Sequence, residues 1–423
     1  MSSKNLNEWL IWQSSLHPRE IELGLTRCRT VAQRLDLLPL PFPSISVAGT
    51  NGKGSSVILL DSILSAASYR VGRFTSPHLL RYNERICISG IEASNSQICE
   101  AFEQIETVRK EISLTYFEFS TLAALLIFKQ QKVDFAILEV GLGGRLDSVN
   151  IVDSEIALIT AIDIDHIEWL GNDRESIGFE KAGIFRTGHP AVCSDSNPPL
   201  SLIKHAEKLQ TPLYYLGRDF SQIKNNEKSW KWQDKSTTYE LPLPSLLGDY
   251  QLQNAAGVLK VLDLLNLNIT KTAISQGLIN AKLPGRFQIL SGRVTRILDV
   301  AHNPLGARVL KDLLSEYPCK GKTHALIGML KDKDIATVLR IMKQTITDWH
   351  IAALKVERSA SVESLVKILN NLGIMNKNIN TYSSITEAHE YLLNSASEID
   401  RIIVFGSFYT VQEVLTIVPC CNK

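Results

Sequence analysis

The sequence predicts an α/β protein of two domains, and three observations carry that expectation. At 423 residues the chain is longer than one ordinary hydrophobic core supports. Short apolar runs alternate with helix-like stretches, the pattern of parallel βαβ units. The alternation breaks at Lys282-Leu-Pro-Gly-Arg-Phe287, where Pro284 and Gly285 interrupt it, and then restarts, which places a boundary near residues 285–296.

Taken in order, Ser44–Ala48 reads as a short strand, and Ser55–Ala67 spaces Val57, Leu60, Ile63 and Leu64 as one face of a helix. VDFAILEV (Val133–Val140) and EIALITAI (Glu155–Ile162) have the apolar continuity of buried strands. Past the break, residues 294–300, 323–328, 349–354, 378–382 and 401–405 read as strands with helices between them. The stretch Lys224–Tyr239, rich in Lys, Asn and Ser around Trp230 and Trp232, reads as a surface excursion without chemistry.

Charge is nearly balanced, with 45 Lys+Arg against 44 Asp+Glu. No global field exists to attract nucleic acid or an anionic membrane. The first twenty residues carry charges and no signal-like apolar core, and no apolar run is long enough to span a bilayer, so a cytoplasmic protein is expected. Seven cysteines without a paired C-x-x-C read as reduced thiols rather than a zinc site or a disulfide framework, the adjacent Cys420 and Cys421 included.

The sharpest local signal is Gly49-Thr-Asn-Gly-Lys-Gly-Ser55. It follows a strand and opens a helix, as a phosphate cradle requires: glycines turn amides inward, Lys53 adds a charge and the helix dipole favours an anion. The strict G-x-x-x-x-G-K-[ST] pattern is not met, because Val47 stands at its first glycine. A GTPase is disfavoured, since Asn376-Lys-Asn-Ile379 lacks the base-reading aspartate. A dinucleotide site at Gly141-Leu-Gly-Gly-Arg-Leu146 is disfavoured by Leu146 at the third glycine position.

Glu139 closes a buried strand and would project into the crevice at the sheet's carboxyl edge, where it could hold Mg²⁺ or stand as an exposed strand end. His166, in Ile162-Asp-Ile-Asp-His166, follows the next strand, and Ser76 in Thr75-Ser-Pro-His78 offers a hydroxyl. By itself Lys181 reads as a solvated helix lysine.

These motifs resemble the bacterial folylpolyglutamate synthase family, most closely its bifunctional dihydrofolate synthase form, akin to the Mur ligases. VAGTNGKGS (Val47–Ser55), TSPHL (Thr75–Leu79), LTYFEFSTL (Leu114–Leu122), LEVGLGGRLD (Leu138–Asp147) and DHIEWLG (Asp165–Gly171) carry the likeness. So do EKAGIF (Glu180–Phe185), LPGRFQ (Leu283–Gln288), DVAHNP (Asp299–Pro304) and GSFYTV (Gly406–Val411), in family order along nearly the whole chain. The resemblance implies a P-loop ATPase domain of Mur-ligase type with a parallel-rich sheet, plus a smaller Rossmann-like α/β domain. It divides the chain into 1–287, a linker 288–296, and 297–423.

Position by position, the resemblance assigns ATP to Gly49, Thr50, Asn51, Gly52, Lys53, Gly54 and Ser55, with Asn254, Arg286 and Asp299. It gives the magnesium ligands as Ser76, Glu139 and His166, and makes Lys181 a carbamylated lysine, reversing the solvated reading. Three segments are implied to contact the pterin: Glu22, Leu23 and Gly24; Thr115, Tyr116, Phe117 and Glu118; and Leu146, Asp147 and Ser148. His302 and Ser407 fall to the glutamate side, and Lys53, Glu139, His166, Lys181 and His302 make the catalytic set. The implied cofactors are ATP and two Mg²⁺ ions, with room for a monovalent cation, and a monomer is favoured. One departure concerns the adenine contacts: the family commonly has His-Gln before that asparagine, whereas Tyr250-Gln251 stands here.

The implied reaction is ATP-dependent joining of L-glutamate to dihydropteroate and then to reduced folates through an acyl phosphate, with domain closure excluding water. A folylpolyglutamate synthase without the first activity, and a P-loop regulatory NTPase that has lost ligation, are the competing readings.

Overall fold

The structure, a computed structural model, describes residues 4–418. The chain forms two compact units. The first runs through Ser245 and resumes over Asp249–Lys282; the second comprises Leu246–Gly248 and the chain from Leu283 onward. Among the described residues no helix is long and apolar enough to cross a membrane. Cys28, Cys87, Cys99, Cys193 and Cys319 are free thiols. Cys420 and Cys421 lie outside the described residues.

The first unit is built on an eight-stranded sheet. Its strands are β1 (Ser44–Ala48), β2 (Val71–Phe74), β3 (Ile86–Ile88), β4 (Ile91–Glu92), β5 (Phe135–Glu139), β6 (Ile156–Ile159), β7 (Ala191–Cys193) and β8 (Leu213–Tyr215). They lie in the order β4-β3-β2-β5-β1-β6-β7-β8, parallel from β2 to β8, with β3 and β4 as an antiparallel edge. Every residue of β1, β5 and β6 is buried, so these runs are continuously apolar rather than alternating. The helix Tyr116–Gln130 is buried on nearly every side, which its run FSTLAALLIF requires, and starts on a capping box between Thr115 and Glu118. From β1 the chain crosses to β2 and returns through β5, so β1 lies at a reversal of strand order. Ligands of open α/β sheets bind outside the carboxyl ends of the strands at such a reversal.

Residues 224–239 are not a surface excursion. They belong to a three-stranded antiparallel sheet of β9 (Phe220–Lys224), β10 (Ser229–Asp234) and β11 (Thr238–Pro242), with β10 central. Trp230 and Trp232 are 0% exposed. The Trp232 indole N–H donates to the Ala256 carbonyl at 3.1 Å, tying the sheet to the helix Asp249–Leu264. The alternation of tryptophan with Ser229, Lys231 and Gln233 is the period-2 signal of a half-buried strand.

The second unit holds six strands: β12 (Gln288–Leu290), β13 (Thr295–Leu298), β14 (Thr323–Ile327), β15 (Asp348–Ala352), β16 (Ile379–Tyr382) and β17 (Arg401–Phe405). Their order is β12-β13-β17-β14-β15-β16, all parallel except the β12–β13 hairpin. Residues 288–296, expected as a linker, are that hairpin's first strand, its turn and the start of β13, and residues 283–287 group with this unit. A three-residue strand has too little periodicity to announce itself, and Ser291-Gly292 at its turn mimics a linker.

Candidate active site

The phosphate loop leaves β1 and enters the helix Lys53–Ala66 through Gly52, which adopts φ +94 and caps the helix without a side-chain hydrogen bond. A Cβ on Gly49 would stand 1.7 Å from Thr160 Oγ1, and one on Gly52 2.5 Å from Asn254 Oδ1. Glycine is therefore needed for space at both positions and, at Gly52, for a left-handed backbone. The loop is anchored to the segment after β6. Thr50 N–H donates to the Ala161 carbonyl at 2.8 Å, Thr50 Oγ1 to the Asp163 carbonyl at 2.8 Å, and Thr160 Oγ1 to the Asn51 carbonyl at 2.7 Å. The helix Asp249–Leu264 braces the loop's other side: Gln251 Nε2 donates to Ser55 Oγ at 3.2 Å and to the Tyr250 hydroxyl at 3.0 Å, and Asn254 Nδ2 donates to Gln251 Oε1 at 3.0 Å. Tyr250 thus takes part in orienting Gln251.

Four neighbouring parallel strands, β2, β5, β1 and β6, deliver the predicted residues to one edge. Ser76 follows β2 and Glu139 ends β5. The Ser76 backbone N–H donates to Glu139 Oε2 at 3.1 Å, and Glu139 is only 5% exposed. His166 follows β6 in a left-handed conformation at the start of the short helix Ile167–Leu170. Gly49, Thr50, Lys53, Asp165, His166 and Lys181 line one small cleft with the turn after β5. The hydroxyl of Ser76, the carboxylate of Glu139 and the imidazole of His166 would offer a mostly oxygen donor set, few in number. That suits Mg²⁺, which keeps water and substrate-phosphate ligands and uses one or two carboxylates. Among the described residues no three His, Cys, Asp or Glu side chains form a cage.

Lys181 is 3% exposed, not solvated. Its Nζ donates to the Gly49 carbonyl at 2.8 Å, and Lys53 Nζ donates to the same oxygen at 2.9 Å. Burial, then repulsion from Lys53, pulls the Lys181 amine down to about 7, against the attraction of Asp165 and Asp147. Helix amphipathicity could not reveal this, because the side chain reaches a distant segment, the phosphate loop at Gly49, and faces the turn after β5.

The three segments expected at the pterin come together. Gly24 N–H donates to the Leu146 carbonyl at 3.1 Å, Thr121 and Ser148 share a hydroxyl hydrogen bond of 2.7 Å, and a Cβ on Gly141 would meet the Phe117 ring at 2.6 Å. Tyr116 lies under the Arg85 guanidinium, 5.4 Å from its ring centre. Asp147 accepts the Leu142 and Val149 amides at 2.8 and 2.9 Å, and burial still pushes its carboxyl up to about 6. Arg27, which no motif singled out, pairs with both Glu22 and Glu118.

In the second unit, Asp299 and His302 follow β13, and Ser407 follows the adjacent parallel β17. Asp299 accepts the Phe287 and Ala301 amides, each at 2.8 Å, and burial raises its carboxyl. The Arg286 guanidinium lies 5.2 Å from the centre of the Phe408 ring. His302 Nδ1 lies 2.8 Å from the Val300 carbonyl, which requires the proton on Nδ1 and fixes the ring. Ser407 Oγ accepts the Tyr409 amide at 3.2 Å as the cap of the last helix.

Comparisons with known proteins give the family and the fold. The Mur ligase middle domain model matches residues 47–262, and the Mur ligase glutamate ligase domain model matches 285–408. The chain is 43% identical to the Escherichia coli dihydrofolate synthase/folylpolyglutamate synthase over 415 residues, 98% of this chain and 95% of the relative. It is 31% identical to that of Bacillus subtilis over 93% of this chain and 94% of the relative. Escherichia coli FolC in complex with DHPP and ADP superposes with a TM-score of 0.92 at 42% identity, covering 98% of both chains. A bifunctional folylpolyglutamate synthase/dihydrofolate synthase with Mn, AMPPNP and L-glutamate bound gives 0.91 at 45% identity, covering 98% of both.

Proposed function

We infer that this chain, which belongs to the Mur ligase family and within it to the dihydrofolate synthase/folylpolyglutamate synthases, is an ATP-dependent ligase adding L-glutamate to 7,8-dihydropteroate and then to reduced folates. The observation that carries the reading is the joint placement of the phosphate loop, Glu139 beside Ser76, and buried Lys181 at the carboxyl edge of four adjacent strands.

A carboxylate does not condense with an amine in water, because oxide would have to leave. An acceptor carboxylate oxygen therefore attacks the γ-phosphorus of ATP, ADP departs, and a mixed acyl phosphate forms. The glutamate amine then attacks the acyl carbon, phosphate leaves with the bonding pair, and the nitrogen gives up a proton. The loop amides and Lys53 hold the phosphates, and Arg286 with Asp299 and Asn254 serve the nucleotide. Ser76, Glu139 and His166 would hold a divalent ion, which offsets phosphate charge and aligns the transfer. Glu22, Leu23 and Gly24, with the 115–118 and 146–148 segments, receive the pterin, and His302 and Ser407 receive glutamate. Lys181 is carbamylated: burial and the Lys53 charge lower its proton affinity, so the unprotonated amine that attacks CO₂ is within reach, and the nitrogen gives up its proton as the carbamate forms. The product is an anion beside Lys53, in place of a second buried cation.

The decisive experiment follows ADP release with ATP, Mg²⁺ and L-glutamate, supplying dihydropteroate or tetrahydrofolate and weighing the products. One glutamyl unit gained by each acceptor supports the bifunctional reading. Turnover with tetrahydrofolate alone leaves a folylpolyglutamate synthase, and ATP binding without glutamate-dependent turnover overturns ligation.

A further inference from the structure

One charged network of the first unit is centred on a residue, Arg27, that lies outside every motif carrying the family likeness. It joins the turn after the helix Leu6–Leu16, the helix Thr26–Arg34 and the first turn of the helix Tyr116–Gln130. Arg27 is its centre. Its Nη1 donates to Glu22 Oε1, and its Nη2 donates to the Glu22 backbone carbonyl at 2.9 Å and lies 3.1 Å from Glu118 Oε1. Its Nε reaches Glu118 Oε2 at 3.4 Å. Behind Glu22, His17 bridges outward: Nε2 is 3.1 Å from Glu22 Oε2, and Nδ1 is 3.0 Å from Ser113 Oγ.

Two features separate this network from an ordinary surface ion pair. The first is that Glu118 is 3% exposed, with Oε2 accepting the Thr115 amide at 2.8 Å, while Oε1 has its ion pair but no well-directed hydrogen bond. A carboxylate this buried needs a cation beside it, and Arg27 is the cation that pairs it. The second is that both carboxylates belong to segments read as contacting the acceptor's heterocycle. Two carboxylates sharing one site repel each other unless a cation lies between them. A guanidinium suits that place, because its planar fork serves two carboxylates and a carbonyl at fixed angles, which an ammonium cannot do.

We propose that Arg27, with His17 supporting Glu22, positions Glu22 and Glu118 as hydrogen-bond acceptors for the amino and ring N–H groups of the acceptor's flat heterocycle. This rests on the pteroate reading of the acceptor. Arg27 acts through the carboxylates and not on the reacting atoms, so its contribution appears in acceptor binding and not in the chemical step. The network also has no part in holding ATP or glutamate.

The test is steady-state kinetics of Arg27→Gln, Arg27→Lys and His17→Gln, with dihydropteroate binding followed independently by its fluorescence. Arg27→Gln should raise KM and Kd for dihydropteroate on the order of ten- to a hundredfold, the loss expected of a charged hydrogen-bond partner. Its kcat and the KM values for ATP and glutamate should stay within about twofold. Arg27→Lys should fall between, keeping the charge without the fork, and His17→Gln should show the same split more weakly. Unchanged acceptor KM in Arg27→Gln, or a parallel loss of kcat and all three KM values with a lower Tm, overturns the proposal. If Arg27→Gln does not fold, Arg27→Lys decides by the same split. A parent chain that binds dihydropteroate but shows no glutamate-dependent turnover sinks the ligase reading alone, and the binding series still judges Arg27.

Discussion

Lys53 and Lys181 direct their amines at one oxygen, the carbonyl of Gly49, from 2.9 and 2.8 Å. Two ammonium groups sharing a single acceptor in a buried cleft repel each other, and the more buried one gives way. Lys181 is that group, its proton affinity lowered first by burial and next by Lys53. Beside the phosphate loop there is thus a second amine, Lys181, whose proton affinity is pulled down to about 7.

Lys53→Met should separate these roles. If Lys53 holds the phosphates as proposed, its removal should lower kcat on the order of a hundredfold or more. Nucleotide affinity, read by calorimetry with ADP, should fall with it. The fold should not suffer, because the methionine stem fills the same space. A variant with parental ADP affinity would remove Lys53 from the phosphate site.

Glu139→Gln probes the divalent ion without disturbing the strand end. The amide oxygen can still accept the Ser76 N–H that Glu139 Oε2 accepts at 3.1 Å, so Tm should stay close to the parent's. The charge that would hold the ion is gone, so kcat should fall on the order of a hundredfold. The Mg²⁺ concentration for half-maximal rate should rise as well. Parental Mg²⁺ dependence would show that Glu139 is structural only.

Gly277→Ala tests how rigidly the phosphate-loop helix is held. The helix Lys271–Asn280 packs on Lys53–Ala66 so closely that a Cβ on Gly277 would meet the Ile63 Cα and N at 2.5 and 2.7 Å. Ser62 Oγ donates to the Gly277 carbonyl at 2.8 Å across the same contact. Alanine's gain of about 1 kcal/mol in helix propensity is set against overpacking on backbone that cannot rotate away, about 1–3 kcal/mol or more. Tm should drop by several degrees and KM for ATP should rise, since the helices can part only by moving the loop's helix. An unchanged or higher Tm would mean the contact is slack.

What the sequence made legible followed local signals. The strand Ser44–Ala48 was bounded by residues whose apolar run stops at the first loop glycine, and it has those bounds in the structure. Glu139 was expected to close a buried strand and does. Partnerships between distant segments were not legible. Nothing within residues 224–239 says that Trp232 will bond Ala256, so a polar, Lys-rich stretch read as surface although it contains a core strand. The same holds for Arg27 and Glu118, 91 positions apart, and for Lys181 and Gly49, 132 apart. Burial of a charged side chain depends on what covers it, and the cover comes from elsewhere in the chain.

Lys181 makes the last prediction one of pH. In the unfolded chain its amine keeps the ordinary value of 10.5, whereas in the fold it titrates near 7. Below 7 both states hold the proton and the buried cation penalises folding. Between 7 and 10.5 the fold has released a proton that the unfolded chain retains, so stability rises with pH, by at most about 1.4 kcal/mol per unit. Above 10.5 both are neutral and the penalty has vanished. In CO₂-free buffer the parent should therefore gain Tm between pH 7 and 9 relative to Lys181→Met, which lacks this group. Added bicarbonate should attach one CO₂, seen by gentle intact-mass measurement, and raise activity in the parent but not in Lys181→Met. Parallel pH profiles would mean Lys181 is not a depressed amine, and a bicarbonate-insensitive parent of unaltered mass would mean it is not carbamylated.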